Sequence, residues 1–428
     1  MNNFLIVGHT SSHNRGCEAL ARSTITILRK QFPAAKITVA ALYPEGESPL
    51  INNITGLEII PGFNRVSSVI GKYPFSHRIL KFVKNILPYG IVALHDRNIG
   101  WKAMLPQARP KSETGFSRVR HLKAAMLEAD AVILLGADLY NIENYFPPVY
   151  AMEVMEYAQL LGRKTVIWGA SIWQFNRRWV ERRVRDILCR ANLVTARDEM
   201  TIDYLSKLGI KKNTVLVPDS AFLLQPRLTS RTGLPWTLKP QLVVGFNGSD
   251  FIYYYLQKRT YRKCIIDIIK FFQFIIDNFG CRIVFVPNDG YPGAQEREFL
   301  FEINSMIARR ESVYMVPPGL DASEIKAVIG QCDIFLGMKF HPTIFSLSQG
   351  IPTLGMYYSP KFIGLHQSIF GHTDYLIHYN DISFDLLMLK FQQVKDDKDK
   401  IQQILRRRVP EIEAELFNAG KHLENLFA

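Results

Sequence analysis

Residues 333–361 read DIFLGMKFHPTIFSLSQGIPTLGMYYSPK, and this stretch decides the fold of the chain. Ile334–Leu336 predicts a short buried strand. Pro342 suits the first position of a helix, where its missing N–H costs nothing, so His341 is expected near the N-cap. The helix is expected to end at Gly350, a good C-terminal stop, before the next parallel strand. The stretch therefore predicts a strand–helix–strand unit of a parallel sheet.

A cation and an imidazole, Lys339 and His341, follow the first strand of this unit. They are expected at the carboxyl edge of the sheet, beside the N-terminus of a helix. Open α/β folds bind ligands at that edge, and the free N–H groups of a helix N-terminus favour anions. An imidazole titrates near neutral pH, which suits it to acid–base chemistry. We therefore expect an anion-binding site here; a helix cap and a surface lysine are the alternative interpretations of the two residues.

Short apolar strands alternate with helical patterns along the chain, which favours parallel sheets covered on both faces. We predict an α/β protein with two Rossmann-like doubly wound domains that face each other across a cleft, as in glycosyltransferases of the GT-B type. The N-terminal domain is expected over residues 1–225 and the C-terminal domain over residues 241–395, with a seam rich in Pro, Thr and Gly between them. Residues 396–428 predict a charged helical tail that packs back on the N-terminal domain.

The composition is that of an ordinary soluble protein, with 47% apolar and 21% charged residues. No apolar stretch approaches the roughly 20 residues that a membrane span requires. No basic n-region or cleavage site precedes the first predicted strand, so a secretory signal is not expected. The five cysteines have no paired spacing, which favours free thiols in a reducing cytoplasm over disulfides or a zinc site. We expect a cytoplasmic protein.

An excess of positive charge, which gives the chain a formal net charge of +13, is concentrated in an insert at about residues 61–123. Aromatic residues alternate with the cations there, and only Asp96 and Glu113 oppose them. Such an insert suits the anionic inner face of a membrane; a solvated surface with ordinary core aromatics is the alternative. Nucleic acid is not expected, because no recognised binding module accompanies the charge.

Five further motifs occur along the chain before residue 333. They are Asn14-Arg15-Gly16-Cys17-Glu18-Ala19-Leu20, Leu134-Leu135-Gly136-Ala137-Asp138-Leu139-Tyr140, Trp168-Gly169-Ala170-Ser171-Ile172-Trp173-Gln174-Phe175, Ala196-Arg197-Asp198-Glu199 and Val217-Pro218-Asp219-Ser220-Ala221-Phe222. In this order, and together with the stretch at residues 333–361, they resemble the polysaccharide pyruvyl transferase family. In that family an Arg-x-His element is followed by a Gly-x-Pro turn and a Tyr-x-x-Lys.

The resemblance implies a reaction. Members of the family transfer the three-carbon unit of phosphoenolpyruvate to two hydroxyls of a sugar, forming a cyclic ketal and releasing phosphate. The transfer needs cations for the donor's carboxylate and phosphate, an acid for the enol carbon and a base for the sugar hydroxyl. The resemblance implies phosphoenolpyruvate as co-substrate, no bound cofactor, and an exopolysaccharide or cell-surface glycan intermediate as acceptor. That acceptor is expected to be lipid-linked and to be met at the inner face of the plasma membrane.

The motif residues take roles under this hypothesis, with donor binding expected in the C-terminal domain and acceptor binding in the N-terminal domain. The candidate catalytic residues are His341 and Asp219, and the candidate donor contacts are Lys339, Arg197 and Lys361. For Arg197 and Asp219, local capping and pairing is the alternative. The candidate acceptor contacts are Asn14, Arg15, Glu18, Asp138, Tyr140 and Trp173; for the aromatic residues among them, core packing is the alternative.

Two departures from the family pattern leave the identity of the donor substrate open. Lys339 stands where the family usually has arginine. A planar guanidinium, which can make two parallel hydrogen bonds to a carboxylate or phosphate, is thus replaced by an ammonium, which is a single point charge. Asn288 lies where many members carry a histidine. A GT-B glycosyltransferase with a nucleotide-sugar donor, or a non-catalytic member that scaffolds a membrane assembly, are therefore the alternatives. No predicted strand of the chain is followed by the Asp-x-Asp motif of metal-dependent glycosyltransferases, so a metal is not expected.

Overall fold

The computed structural model describes most of the chain. The described residues are 2–41, 44, 47, 51, 54, 56–62, 114–137, 149–175, 178–236, 242–249, 256, 258–290 and 295–427.

The first sheet, whose elements we call the N-terminal domain, contains seven described strands. They are β1 (Asn3–His9), β2 (Lys36–Ala41), β3 (Leu57–Pro61), β4 (Ala131–Ala137), β5 (Lys164–Ala170), β6 (Leu193–Ala196) and β7 (Thr214–Leu216). Neighbouring strands in the order β3-β2-β1-β4-β5-β6-β7 are all parallel. The strand order reverses between β1 and β4, and doubly wound folds place their ligand crevice at such a point, outside the carboxyl ends of the strands.

Helices connect these strands. They are α1 (Arg15–Gln31), α2 (Thr114–Glu128), α3 (Val149–Leu160), α4 (Arg178–Arg190) and α5 (Glu199–Lys207). Asp198 is the N-cap of α5: its side chain accepts the N–H of Thr201 at 2.8 Å. This N–H has no intrahelical partner, so the cap fixes where the helix begins. Arg197, the residue before this cap, follows β6 at the carboxyl edge of the sheet.

The second sheet, with its helices, forms the C-terminal domain and repeats the strand order of the first. Its strands are β8 (Leu242–Asn247), β9 (Cys281–Phe285), β10 (Val313–Met315), β11 (Ile334–Gly337), β12 (Thr353–Tyr357) and β13 (Leu376–His378). They lie in the parallel order β10-β9-β8-β11-β12-β13. The helices are α6 (Lys258–Phe279), α7 (Gln295–Met306), α8 (Ala322–Ile329), α9 (Phe340–Leu347), α10 (Lys361–Phe370), α11 (Phe384–Asp396) and α12 (Lys398–Glu424). The predicted α/β architecture with two Rossmann-like sheets is confirmed.

The stretch at residues 333–361 forms the predicted strand–helix–strand unit with shifted ends. β11 pairs in parallel with both β8 and β12. α9 begins two residues before Pro342, with Lys339 at the N-cap, and it ends before Gly350. The proline is accommodated because the N–H groups of a helix's first turn have no intrahelical partner. His341 is therefore the second residue of α9 rather than its cap.

The end of the chain packs back on the N-terminal domain. Gly420 of α12 lies against α1, where a Cβ on this glycine would come within 3.1 Å of Ile27. The Phe427 ring packs edge-on against Phe4 and Phe32, with centroids 5.7 and 5.9 Å apart. Because α12 follows the second sheet, this packing fastens the C-terminal domain to the first sheet. Within the described ranges, no helix combines the length and the apolar character that a membrane crossing requires.

His366 on α10 is completely buried. Neither ring nitrogen has a hydrogen-bond partner in the part of the chain that the structure describes. Burial, together with the neighbouring His372, lowers the pKa of His366 to about 3. An unfolded histidine has a pKa of about 6.5. Between these two values only the unfolded chain binds the proton, so stability is lost as the pH falls through this window.

We predict that His366 alone lowers the free energy of unfolding by about 2 kcal/mol between pH 8 and pH 5. His366→Leu replaces the ring with an apolar side chain of similar volume and should remove that share of the pH dependence. The exposed His422→Leu is the matched control and should retain it. Urea denaturation at both pH values measures the difference. An identical pH dependence in wild type and His366→Leu contradicts the assignment.

Candidate active site

The carboxyl edges of the two sheets meet at a short backbone junction. The loop after β1 and the loop after β9 form an isolated antiparallel bridge between Asn14 and Asp289. The N–H of Gly290 donates to the carbonyl of His13 at 2.7 Å. The predicted acceptor loop of the N-terminal domain therefore lies directly against the C-terminal domain.

Glu18 adds a buried hydrogen bond at the same junction. Its carboxylate, on the first turn of α1, accepts the N–H of Ala322 at the start of α8 at 3.0 Å. Arg22 and Arg15 lie 3.2 and 3.5 Å from the carboxylate. Burial raises the pKa of Glu18, although both arginines act to lower it. The partial positive charge of a helix N-terminus favours a carboxylate here, so Glu18 stabilises the contact between the domains. Its predicted contact with an acceptor stays a prediction.

His341 lies in contact with the first turn of α1. A Cβ built on Gly16 would come within 2.1 Å of the His341 Nδ1, so only glycine leaves room for the imidazole. The Asn14 side chain caps the same turn by accepting the N–H groups of Gly16 and Cys17 at 3.0 and 3.1 Å. The imidazole packs edge-to-face with Phe340, with ring centroids 5.8 Å apart. The structure thus brings the catalytic candidate His341 to the predicted acceptor loop.

Arg197 is held by a buried network at the carboxyl ends of β5, β6 and β7. Its Nε donates to the Ser171 hydroxyl at 2.6 Å, and its Nη1 donates to the Asp219 carboxylate at 2.7 Å. The Ser171 hydroxyl donates in turn to Asp198 at 2.8 Å. Asp219 also caps the short 3-10 helix Ser220–Leu223. The structure therefore shows Asp219 as a partner of Arg197, and its catalytic role stays a prediction.

Two cations from different domains lie beside the ring of Phe340. The Arg197 Cζ is 4.8 Å and the Lys361 Nζ is 5.1 Å from the ring centroid. Arg197 belongs to the N-terminal domain, and Lys361 begins α10 of the C-terminal domain. Only 9% of Arg197 and 7% of Lys361 is exposed. Because two cationic side chains approach one ring from two domains, the surroundings of this ring are suited to an anion.

Lys339 is neutralised by carboxylates of its own domain. Its Nζ lies 2.6 Å from Asp289 and 3.1 Å from Glu296, and Glu296 also accepts the Asn247 side-chain amide at 2.7 Å. Burial acts to lower the pKa of Lys339, but Glu296 and Asp289 outweigh burial and raise the pKa above its usual value. In this structure Lys339 joins α9 to the loop after β9. Its predicted donor contact stays a prediction.

The structure describes two of the remaining predicted acceptor contacts, Arg15 and Trp173. Arg15 is buried, and its guanidinium donates to the carbonyl of Ser12. Trp173 lies half-buried in the loop after β5. Asp138 and Tyr140 fall outside the described residues, as does most of the predicted basic insert. In the described ranges no group of three or more His, Cys, Asp or Glu side chains is arranged to hold a metal ion.

A buried histidine–carboxylate pair at the end of β1 was not predicted. The His9 Nε2 lies 2.8 Å from the Glu47 carboxylate, and the Ser12 hydroxyl donates to the same oxygen at 2.6 Å. In the sequence, His9 lies just behind the apolar residues 4–7, and that position was a usable signal. Nothing in the sequence pattern pairs it with a glutamate 38 residues later. Ser171, which positions Arg197, was missed for the same reason.

Three comparisons with known proteins show the family and the fold of the chain. The sequence model of the polysaccharide pyruvyl transferase family matches residues 14–360. The amylovoran biosynthesis protein AmsJ of Erwinia amylovora is 20% identical over 421 residues, which cover 95% of each chain. The UDP-GlcNAc 2-epimerase of Neisseria meningitidis, bound to UDP-GlcNAc, aligns with a TM-score of 0.58 and 11% identity over 100% of this chain and 99% of its own. HepE of Anabaena, in complex with UDP and glucose, aligns with a TM-score of 0.54 and 12% identity over 99% of this chain and 100% of its own. The two solved structures show a shared GT-B-like fold.

Removing the ammonium of Lys339 is predicted to destabilise the protein. Lys339→Met leaves the buried Glu296 carboxylate without its cation, which should lower the free energy of unfolding by about 3–5 kcal/mol. The exposed Lys212→Met is the control and should stay within about 0.5 kcal/mol of wild type. Urea denaturation measures both. A Lys339→Met protein as stable as the control would mean that the buried cluster does not depend on this charge.

Proposed function

The chain belongs to the polysaccharide pyruvyl transferase family, and on that premise we propose that it transfers the pyruvyl group of phosphoenolpyruvate to a sugar of an exopolysaccharide or cell-surface glycan intermediate. The product is a pyruvate ketal, and phosphate is released. The name of the relative AmsJ, an amylovoran biosynthesis protein, supports a polysaccharide precursor as acceptor. We place the acceptor at the carboxyl edge of the N-terminal sheet, lipid-linked, on the cytoplasmic side of the membrane.

The pair of cations beside Phe340 is the observation that carries the proposal. Phosphoenolpyruvate carries a carboxylate and a phosphate on the same carbon. The guanidinium of Arg197 suits a charged hydrogen bond with one group, and the point charge of Lys361 suits the other. Because the two cations come from different domains, a donor bound between them would also hold the domains together.

The position of His341 beside this pair accounts for the proton transfers. As imidazolium, His341 donates a proton to the methylene carbon of the donor, which becomes the methyl group of the ketal. Two sugar hydroxyls add to the neighbouring carbon, and the bond between that carbon and the phosphate oxygen breaks. One hydroxyl proton returns to His341 and the other leaves with phosphate, so protons and charge balance. Arg197 and Lys361 stabilise the negative charge that collects on the departing phosphate.

Phosphate release from phosphoenolpyruvate in the presence of lipid-linked glycan intermediates tests this function. His341→Ala should abolish the release while its free energy of unfolding stays within about 1–2 kcal/mol of wild type. The exposed His422→Ala should keep full activity. Nucleotide release from a sugar nucleotide, with no phosphate released from phosphoenolpyruvate, would replace the proposal with the glycosyltransferase alternative. A stable His341→Ala protein with full activity would remove this residue from the mechanism.

The donor contact of Lys361 has a separate kinetic signature. Loss of a charged hydrogen bond costs about 1.5–3 kcal/mol, so Lys361→Gln should raise the KM for phosphoenolpyruvate roughly 10- to 150-fold. The change in kcat should be smaller, because the group mainly holds the donor. The exposed Lys212→Gln is the matched control. Steady-state phosphate release over a range of donor concentrations measures both constants. An unchanged KM in Lys361→Gln would place the donor elsewhere.

A further inference from the structure

The outward face of α6 combines cations with a large apolar side chain. Arg262, Lys263 and Lys270 are exposed, and Ile266 among them is 49% exposed. Their spacing of three and four residues places them on one side of the helix. The opposite side is packed into the core through residues such as Phe272. The helix is therefore strongly amphipathic, but its solvent side is not uniformly polar.

The helices beside α6 extend this surface. α6 packs against both α7 and α11. Five of the ten exposed large apolar side chains recorded for the described residues lie on these three helices: Ile266, Phe274, Phe301, Met306 and Leu389. Exposed apolar side chains scattered singly need no explanation, whereas a concentration of them on neighbouring elements marks an interaction surface.

The cations of this face are available for a partner. Some cations of other helices are paired with carboxylates; examples are Arg22 with Glu18 at 3.2 Å and Arg183 with Glu156 at 2.7 Å. No ion pair within the described ranges includes Arg262, Lys263 or Lys270. No carboxylate of the described chain therefore lies within ion-pair distance of these three charges.

We propose that this face of α6, defined by Arg262, Lys263, Ile266 and Lys270, binds an anionic lipid surface. The cations would contact phosphate headgroups while Ile266 and its apolar neighbours enter the boundary with the acyl chains. A second copy of the chain fits less well, because a twofold interface would bring the same cations of both copies together. The net charge of +13 adds a long-range attraction to the same kind of surface.

The location of α6 also fits a membrane-borne substrate. α6 follows β8, so its N-terminal end lies on the side of the C-terminal sheet where the strands end. Lys339 and Phe340 follow β11, the neighbour of β8, at that same edge. A bilayer at this face would therefore lie near the carboxyl edge of the C-terminal sheet. The inference does not require the proposed reaction, and its residues are not part of the insert predicted at residues 61–123.

Sedimentation of the full chain with phosphatidylcholine vesicles, with and without phosphatidylglycerol, tests the proposal. Wild type should bind only the vesicles that contain phosphatidylglycerol, less tightly as salt is raised. Each cation near such a surface contributes about fivefold, so Arg262→Gln/Lys263→Gln/Lys270→Gln should lower the partition coefficient by about 100-fold. Ile266→Gln should lower binding several-fold and leave its salt dependence unchanged.

A triple variant with the same change in net charge provides the control. Lys400→Gln/Arg406→Gln/Arg407→Gln removes three exposed cations of α12 and should bind within about threefold of wild type, because distant charges are screened. Equal losses in the two triple variants, or no binding by wild type, would overturn the proposal. A dimer in light scattering that dissociates in the α6 variant, with vesicle binding unchanged, would assign the face to a second copy. Phosphate release with a water-soluble acceptor is measured in parallel, so failure of lipid binding is distinguishable from failure of the proposed reaction.

Discussion

The buried carboxylate of Glu18 joins the two domains at the junction of their sheets. It accepts the first N–H of α8 in the C-terminal domain, and Arg15 and Arg22 of its own domain compensate its charge. Taking a carboxylate out of water is costly, and it is tolerated only where such partners are in place. Glu18 therefore specifies one arrangement of the domains more than it adds stability. In that arrangement the first turn of α1 lies against α9, with Gly16 in contact with His341.

The distribution of charge around the cleft decides which cations can hold a donor. Lys339 occupies the position where the family usually carries arginine, and two carboxylates within 3.1 Å offset it. Arg197 is paired with Asp219, and it shares the ring of Phe340 with Lys361. In the proposed reaction the hold on the donor therefore falls mainly to Arg197 and Lys361. The presence of lysine at position 339, where the family usually has arginine, is therefore compatible with the proposed transfer, because the proposed donor site is built from both domains.

Local signals made part of this structure predictable from the sequence. The alternation of strands and helices set the fold class, and Pro342 located α9 to within a few residues because proline is confined to a helix's first turn. Placement of His341 and Lys339 at the carboxyl edge followed from the order of elements in a parallel sheet. The partners of these residues were not predictable. Lys339 pairs with Glu296 across 43 residues and Glu18 bonds Ala322 across 304, and only the packed domains bring such positions together.

A crystal structure of the protein with phosphoenolpyruvate bound tests the central claim most directly. The account predicts the donor between the domains, with its carboxylate and phosphate in hydrogen-bond contact with Arg197 and Lys361 and its methylene carbon facing the imidazole of His341. A donor held at another edge of either sheet, or an imidazole turned away from that carbon, would contradict it.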